Sequence, residues 1–176
     1  MNGAERLLLE TRVRTLILPA AADKDAEPLR SILETAETRG VEVLRLEDDA
    51  EMTLGDLDLQ FFVRLGQETE DGCLMLRVTR GDFDTMITGD VPIETETVLA
   101  ADYDLSDTEL FIAGHHGSKH ASGDALLDAL GAETAVISCG YNTYGHPTQE
   151  TLDRLAAHGM EILRTDTDGS VTIRME

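Results

Sequence analysis

The sequence predicts a mixed α/β fold: a strand–helix–strand unit, then an antiparallel meander, then alternating helices and strands. Apolar residues recur at helical spacing between two short apolar runs near the N-terminus. From Met52 to Ile87 the pattern changes to short β-like runs separated by glycine-containing turns, and after Asp90 the alternation returns. With 176 residues, of which 41% are hydrophobic, one domain over residues 1–176 is expected.

The N-terminal elements are predicted to form a βαβ unit. Apolar residues at helical spacing run from Leu29 to Ala36, and Gly40 marks the C-terminus of that helix. A right-handed crossover would place the two flanking strands in one parallel sheet. The predicted elements are a helix at 4–11, a strand at 14–18 that Pro19 stops, a helix at 25–39 and a strand at 41–46.

The remaining elements follow from the same periodicities. Thr148 is the expected N-cap of a helix that Gly159 ends, and Asp168-Gly169 would join two closing strands. The predicted strands are 57–64, 73–79, 83–88, 109–113, 134–139, 161–164 and 170–175, and the predicted helices are 93–101, 122–130 and 148–158.

The charge of the chain is strongly acidic. Its 35 acidic and 14 basic residues give a net charge of −21, and its two lysines are Lys24 and Lys119. Such a charge argues against broad, tight nucleic-acid affinity, although a bound metal can draw a phosphodiester into an acidic protein. An acidic solvated shell, as in proteins adapted to high salt, is the alternative. No apolar run approaches the roughly 20 residues that cross a bilayer.

Two motifs at predicted strand ends point to a metal site. Thr88-Gly89-Asp90-Val91 follows one strand and Gly114-His115-His116-Gly117-Ser118-Lys119 follows the next. A carboxylate and an imidazole that converge from neighbouring strand ends suit a divalent ion such as zinc or manganese. Alternatively, Asp90 caps the helix that begins near Pro92.

The histidines differ in context. On an extended segment the adjacent His115 and His116 would point to opposite sides, so that only one could face a given metal. Ser118 and Lys119 offer a hydroxyl and a cation where a phosphate oxygen could sit. His146 lies in a loop, 142–147, that ordinary turn chemistry would also explain.

The ordered motifs TGD, GHHGSK, GYNTYGHP and RTDTDG resemble the C-terminal part of the metallo-β-lactamase-fold domain of ComEC-type competence proteins. The resemblance covers nearly the whole chain. It implies an αββα sandwich with a binuclear metal site, in a hydrolase-like domain that acts on DNA during natural transformation. It also implies a parent protein in the bacterial inner membrane.

The resemblance assigns roles residue by residue. Asp90 would bridge two metals, and His115, favoured over His116, would bind the second of them. Asp90, His116 and His146 would act in catalysis, with His146 nearest a metal-bound water or a phosphate oxygen. The residues expected to contact substrate are Ser118, Lys119 and Asn142.

The chain also departs from the family pattern. It has no HxxxDH motif, which supplies most ligands of the first metal, and residues 1–8 resemble the segment that follows that motif. The expectation is therefore an incomplete αββα sandwich without its N-terminal strands, with an incomplete metal site and weak or no activity. A second departure is Asp71-Gly72-Cys73-Leu74, where relatives tend to have asparagine and serine.

Three functions remain open from the sequence. The first is phosphodiester hydrolysis linked to DNA uptake. The second is a non-catalytic binding or scaffolding module with a vestigial metal site, which docks on a membrane channel or self-associates through an open sheet edge. The third is a hydrolase of a small phosphoester or ester, which the acidic charge favours.

Overall fold

The computed structural model describes residues 3–64 and 73–174, which divide into two compact units. Among the described residues, one unit contains 3–50, 63–64 and 73–74, and the other contains 51–62 and 75–174. The single domain over residues 1–176 stays a prediction. Two sequence expectations fall partly outside these residues. They concern residues 1–2 of the family-like segment 1–8 and residues 71–72 of the segment 71–74 that departs from the family pattern.

The first unit contains the predicted βαβ arrangement. Its elements are α1 (Gly3–Glu10), β1 (Thr15–Pro19), α2 (Leu29–Arg39) and β2 (Glu42–Leu46). β1 and β2 pair in parallel, which confirms the predicted pairing, although β1 includes Pro19. Helix α2 begins at Leu29 rather than at 25, after the N-cap Pro28. Gly40, with φ 66°, donates its N–H to the carbonyls of Ala36 and Glu37 and ends α2 as predicted.

Among the residues that the structure describes, a seven-stranded sheet forms the rest of the β structure, and its strands lie side by side in chain order. β5 and β6 pair antiparallel, whereas β6–β7, β7–β8 and β8–β9 are parallel pairs. The mixed α/β class is therefore confirmed. The strands are β3 (Ala50–Leu54), which the sequence did not predict, β4 (Leu57–Arg64), β5 (Cys73–Arg80), β6 (Phe83–Ile87), β7 (Leu110–Ile112), β8 (Thr134–Ile137) and β9 (Glu161–Arg164).

Helices connect the parallel strands. They are α3 (Ile93–Asp102), α4 (Asp124–Leu130) and α5 (Gln149–Ala157). Thr148 caps α5, as predicted, by accepting the Thr151 N–H on its hydroxyl. Within the described residues, no helix combines the length and the apolar character needed to cross a membrane.

The predicted strand at 170–175 is wrong over its described residues, 170–174, which adopt no regular structure. The chain turns earlier, at 165–168. There the Asp168 carboxylate accepts the Arg164 N–H at 2.7 Å, and the Asp168 N–H donates to the Arg164 carbonyl at 2.8 Å. The sequence predicted a turn at Asp168-Gly169. In the structure the turn covers 165–168, and Asp168 closes it by bonding to Arg164, the last residue of β9.

The core of the second unit lies along its parallel strands. Met86 on β6, Phe111 on β7, and Ala135 and Ile137 on β8 are completely buried. Parallel strands that are covered on both faces have nearly continuous apolar sequences, and the sequences of β7 and β8 are of this kind. Burying a side chain of this size stabilises the fold by about 1.5–3 kcal/mol. The ends of β6, β7 and β8 are therefore fixed firmly, and the loops after them start from defined positions.

Candidate functional site

The motifs that the sequence singled out follow three adjacent parallel strands. Thr88-Gly89-Asp90 follows β6, 114–119 follows β7, and 138–147 follows β8. Because parallel strands end at the same edge of a sheet, these loops share one edge. The first two loops are joined directly, since the His115 N–H donates to the Gly89 carbonyl at 2.9 Å.

The double-histidine segment is a left-handed turn. His115 has φ 47° and ψ 44°, His116 has φ 55° and ψ 28°, and Gly117 has φ 81°. The expectation of an extended segment with alternating side chains is therefore wrong. Left-handed backbone is unfavourable for residues other than glycine and costs about 1–3 kcal/mol at each such position, so the surroundings must enforce it. The Ser118 N–H closes the turn on the His115 carbonyl at 3.0 Å.

Two glycines allow close packing around this turn. A Cβ atom on Gly117 would lie 2.6 Å from the Cβ of Pro147, and one on Gly114 would lie 2.9 Å from the Thr88 hydroxyl. The Thr148 N–H also donates to the Gly117 carbonyl at 2.9 Å. The histidine turn is thus clamped between the loop after β6 and the loop before α5.

Glu96, which the sequence did not single out, anchors the segment after the histidine turn. This residue of α3 is completely buried, and its two carboxylate oxygens accept the N–H groups of Ser122 at 2.9 Å and Gly123 at 2.8 Å. Burial raises the pKa of Glu96, and these two bonds, Arg154 and Thr88 oppose that rise. Ser122, which has φ 59°, in turn accepts the Gly114 N–H on its hydroxyl. Glu96 therefore positions the turn without reaching it.

The His116 ring is exposed and has a defined orientation. Its Nδ1 donates to the Ser138 carbonyl at 2.7 Å, a contact that a neutral ring makes with Nδ1 protonated. Nε2 then carries the lone pair. Metal-binding histidines in proteins commonly donate their second nitrogen in this way, so the His116 ring is oriented as a ligand would be.

His115 and His146 come together from different loops. Their ring centroids lie 5.6 Å apart in an edge-to-face arrangement. Desolvation lowers the pKa of His146, and the charges of His115, His116 and His120 lower it further. His146 is thereby favoured as a neutral imidazole, the form that can accept a proton or bind a metal.

The three residues expected to contact substrate have different surroundings. Asn142 braces its own loop: its amide donates to the carbonyls of Gly140 and His146, and its carbonyl oxygen accepts the His146 N–H at 3.1 Å. Ser118 is buried, and its hydroxyl accepts the His120 N–H at 3.3 Å. Lys119 is exposed. Binding of substrate by these residues stays a prediction.

A second cluster, after β8 and β9, was not predicted. The Cys139 thiol donates to Asp166 at 3.2 Å, and the Arg164 guanidinium holds the same carboxylate through Nε at 3.1 Å and its terminal nitrogen at 2.7 Å. The bonds from Arg164 and Cys139 lower the pKa of Asp166 to about 2. Thr165 ties the two loops by donating to the Cys139 carbonyl at 2.6 Å. The RTDTDG motif thus has a structural role beside the site.

A pocket of about 310 Å³ opens at the loop after β8. His116 and His146 line it together with Cys139 and the aromatic residues Tyr141 and Tyr144. Asp90 does not line this pocket. The pocket therefore brings together two of the three predicted catalytic residues.

Acidic residues are absent from the two loops that carry the histidines. Residues 110–123 and 138–149 contain no Asp or Glu, although the chain has 35 such residues, and they hold four of its five histidines together with Lys119. These two stretches of sequence therefore contribute nothing to the acidic excess of the chain. A phosphate group would meet less repulsion here than over the rest of the surface.

The donor atoms are of types that bind divalent metals. Asp90 offers a carboxylate, His116 an oriented imidazole and His146 a neutral one, and zinc or manganese accepts such ligands. Among residues 3–64 and 73–174, however, no three histidine, cysteine or acidic side chains are grouped closely enough to hold a metal.

No family model matches the chain. It is 31% identical over 185 residues to ComE operon protein 3 of Bacillus subtilis. That alignment covers 99% of this chain and 23% of the relative. Competence protein ComA of Neisseria gonorrhoeae is 38% identical over 99 residues, 55% of this chain and 14% of that protein. Recombination protein 2 of Haemophilus influenzae is 27% identical over 107 residues, 60% of this chain and 13% of that protein. The chain spans less than a quarter of each of these relatives.

Two solved structures share the fold at 13% sequence identity. CmlA, a diiron beta-hydroxylase from Streptomyces venezuelae, has a TM-score of 0.58 over 92% of this chain and 40% of its own. The metallo-beta-lactamase fold protein YhfI from Bacillus subtilis has a TM-score of 0.53 over 86% of this chain and 63% of its own. At this identity the likeness shows the fold alone. The chain therefore has the metallo-β-lactamase fold and resembles a segment of the ComEC-type competence proteins.

Proposed function

We propose that this chain carries part of a metal-dependent site that hydrolyses phosphodiester bonds of DNA. The observation that carries the proposal is the arrangement of the sheet edge, where His115 is bonded to the loop of Asp90 through Gly89 and meets His146 edge-on. Histidines and one carboxylate suit a divalent metal, and the absence of acidic residues from 110–123 and 138–149 suits a phosphate.

Some of these residues would bind the metal, and others would contact the substrate. Asp90 and His115 are the proposed ligands, and His116, with Nε2 available, is the other candidate ligand. When bound, the metal would supply Lewis acidity toward a phosphoryl oxygen. His146 would accept a proton, because its lowered pKa keeps the ring neutral. Lys119 would hold a substrate phosphate as an exposed cation.

The relatives support a link to DNA uptake. One of them is described as a competence protein, one as a ComE operon protein and one as a recombination protein. We extend this to the present chain and propose that it acts beside a membrane channel in a larger competence protein. DNA is the proposed substrate within that assembly.

Metal binding by the 176-residue chain tests the proposal. In calorimetric titration with zinc or manganese, we expect weak binding that Asp90→Asn and His115→Ala each reduce by at least tenfold, the lower end of the losses seen when a metal site is disturbed. His120→Ala is the matched control, because His120 lies on the same segment but is not assigned as a ligand, and it should bind as wild type does. Binding unaffected by either variant would contradict the assignment.

Hydrolysis is measured in parallel on a single-stranded oligonucleotide and on bis(p-nitrophenyl) phosphate, with manganese or zinc added. We expect slow, metal-dependent cleavage of the oligonucleotide, because the described residues group no three ligands. Cleavage of the small diester alone would favour a small-phosphoester hydrolase instead.

A non-catalytic binding or scaffolding module is the second candidate, and the absence of a three-ligand group among the described residues favours it. The seven-stranded sheet ends in β3 and β9, and an unpaired edge strand can pair with another chain. No metal binding, combined with self-association at micromolar concentration in sedimentation velocity, would support this function over hydrolysis.

A further inference from the structure

Two tyrosines project from the loop after β8 at the pocket that His116 and His146 line. Tyr141 is 102% exposed and Tyr144 is 84% exposed, so both rings present nearly their whole surface to solvent. The chain has three tyrosines and no tryptophan. Two of the three therefore lie on one ten-residue loop, where their rings contribute nothing to the core, and tyrosine is a residue type that is enriched at binding interfaces.

The loop that carries these rings is held in place. Asn142, between the two tyrosines, makes three hydrogen bonds within the loop, to the carbonyls of Gly140 and His146 and from the His146 N–H. Thr165 and the Cys139 thiol tie the start of the loop to the turn after β9. A ring on a braced loop loses less conformational freedom when it binds than a ring on a loose one.

The rings also adjoin the histidines. The Tyr144 and His146 ring centroids lie 6.3 Å apart with the planes tilted by 34°, and His146 contacts His115 edge-on. A planar group that stacks on Tyr144 would therefore lie next to the proposed catalytic side chains. From 138 to 149 the loop contains no acidic residue, and the Asp166 carboxylate beside Cys139 is paired with Arg164, so the loop itself adds no repulsion of a phosphate attached to that planar group.

We propose that Tyr141 and Tyr144 form a stacking platform for unpaired nucleobases. The platform would select single-stranded nucleic acid at the histidine edge, which is the edge of the sheet that carries His115, His116 and His146. The inference rests on the proposed function for its substrate class. It adds that recognition comes from the faces of the bases rather than from cationic contacts to the backbone. Stacking suits a protein of net charge −21, because it requires few basic residues, and bases in a duplex do not offer free faces.

Fluorescence anisotropy with metal omitted tests the platform separately from hydrolysis. The probes are a labelled oligothymidylate, an abasic oligonucleotide of equal length and a duplex. We expect the wild-type chain to bind the oligothymidylate at least tenfold more tightly than either of the others. Tyr141→Ala and Tyr144→Ala should each lower the ratio of these affinities by about five- to tenfold. Tyr141→Phe and Tyr144→Phe should retain the ratio, because phenylalanine keeps the ring.

Thr143→Ala is the matched control, because Thr143 is exposed on the same loop between the two tyrosines, and it should leave the preference unchanged. Equal affinity for the abasic oligonucleotide, equal affinity for the duplex, or no detectable binding of any probe would overturn the proposal. A base preference in a chain that neither binds metal nor cleaves DNA would uphold the platform while the hydrolase proposal failed.

Discussion

Two residues at the histidine edge adopt backbone conformations that are sterically unfavourable for any residue with a side chain. His115 and His116 are both left-handed, and each is held by hydrogen bonds, His115 to Gly89 and His116 to Ser138. Backbone strain of this kind concentrates where a protein needs side chains at fixed positions. The strain is therefore consistent with selection for the placement of the two rings rather than for stability.

Replacing His115 by glycine tests whether this strain is stored. Glycine adopts φ 47° without a steric penalty, so His115→Gly should unfold with a free energy equal to that of wild type or up to about 1 kcal/mol higher. Urea denaturation followed by circular dichroism measures this. His120→Gly, at a position without positive φ, is the control and should lose about 0.5–1 kcal/mol. Equal losses in both variants would show that no strain is stored at His115.

Asp166 provides a prediction of pH dependence. The hydrogen bonds from Arg164 and Cys139 lower its pKa from 3.8 to about 2. A lowered folded-state pKa means that the stabilisation is present above the unfolded value and is lost as pH falls from about 4 toward 2. Carbon-detected NMR titration should show the Asp166 carboxyl titrating near 2. Arg164→Gln should move it upward, whereas Arg6→Gln, in an exposed pair on α1, should not.

The double-histidine motif was identifiable from sequence, but its geometry was not. Flanking glycines and a preceding apolar run mark the segment as a loop at a strand end. The inference that the two rings point apart assumed extended backbone. The left-handed turn depends on contacts of Gly117 with Pro147 and of His115 with Gly89, which join segments about 30 residues apart. Local pattern carries no information on such contacts.

At the scale of elements, glycines let the loops around the site pack closely. Gly117→Ala should destabilise the protein by about 1–3 kcal/mol, because its Cβ would lie 2.6 Å from Pro147 and something must move. Gly145→Ala is the matched control: its φ of 78° is similar, but no atom lies within 4 Å of the added Cβ, so it reports backbone strain alone. Thermal unfolding of both variants separates the clash from the strain. Equal loss in the two would remove the packing explanation.

Helix α3 supports the site through one buried carboxylate. Glu96→Gln should lower the free energy of unfolding by about 1–3 kcal/mol, because an amide can accept only one of the two N–H bonds from Ser122 and Gly123. Hydrogen exchange at those two amides should accelerate. Glu150→Gln, which removes an exposed partner of Arg154, is the control and should change stability by less than about 1 kcal/mol. Unchanged exchange in Glu96→Gln would contradict the anchoring role.

Most elements could be predicted from periodicity, and the errors have local causes. Parallel strands β6 to β8 are apolar runs bounded by glycine or polar turns, and they were found within two residues of their ends. β3 was missed although Ala50–Leu54 alternates apolar and polar residues, and four of its five residues are exposed. The apolar alternation at 170–174 predicted a strand, yet Asp168 ends the pairing at Arg164. Glu96 could not be predicted, because its partners lie on another element.

At the scale of the whole molecule, the distribution of charge matters more than its sum. A net charge of −21 predicts repulsion of DNA, yet the two histidine loops contain no acidic residue. Long-range repulsion and local attraction act over different distances. Repulsion by the whole chain governs the approach of a polyanion, and the acid-free loops govern its contact.

The rate at which a single-stranded oligonucleotide associates should therefore rise with salt. Raising ionic strength from 10 to 150 mM shortens the Debye length from roughly 30 to 8 Å, which screens the repulsion of the whole chain more than contacts within the loops. Stopped-flow measurement should show faster association at 150 mM, opposite to the behaviour of basic nucleic-acid-binding proteins. An uncharged peptide nucleic acid of the same sequence is the control, and its rate should not depend on salt. A rate that falls with salt would mean that the cationic groups at the histidine edge outweigh the net charge during approach.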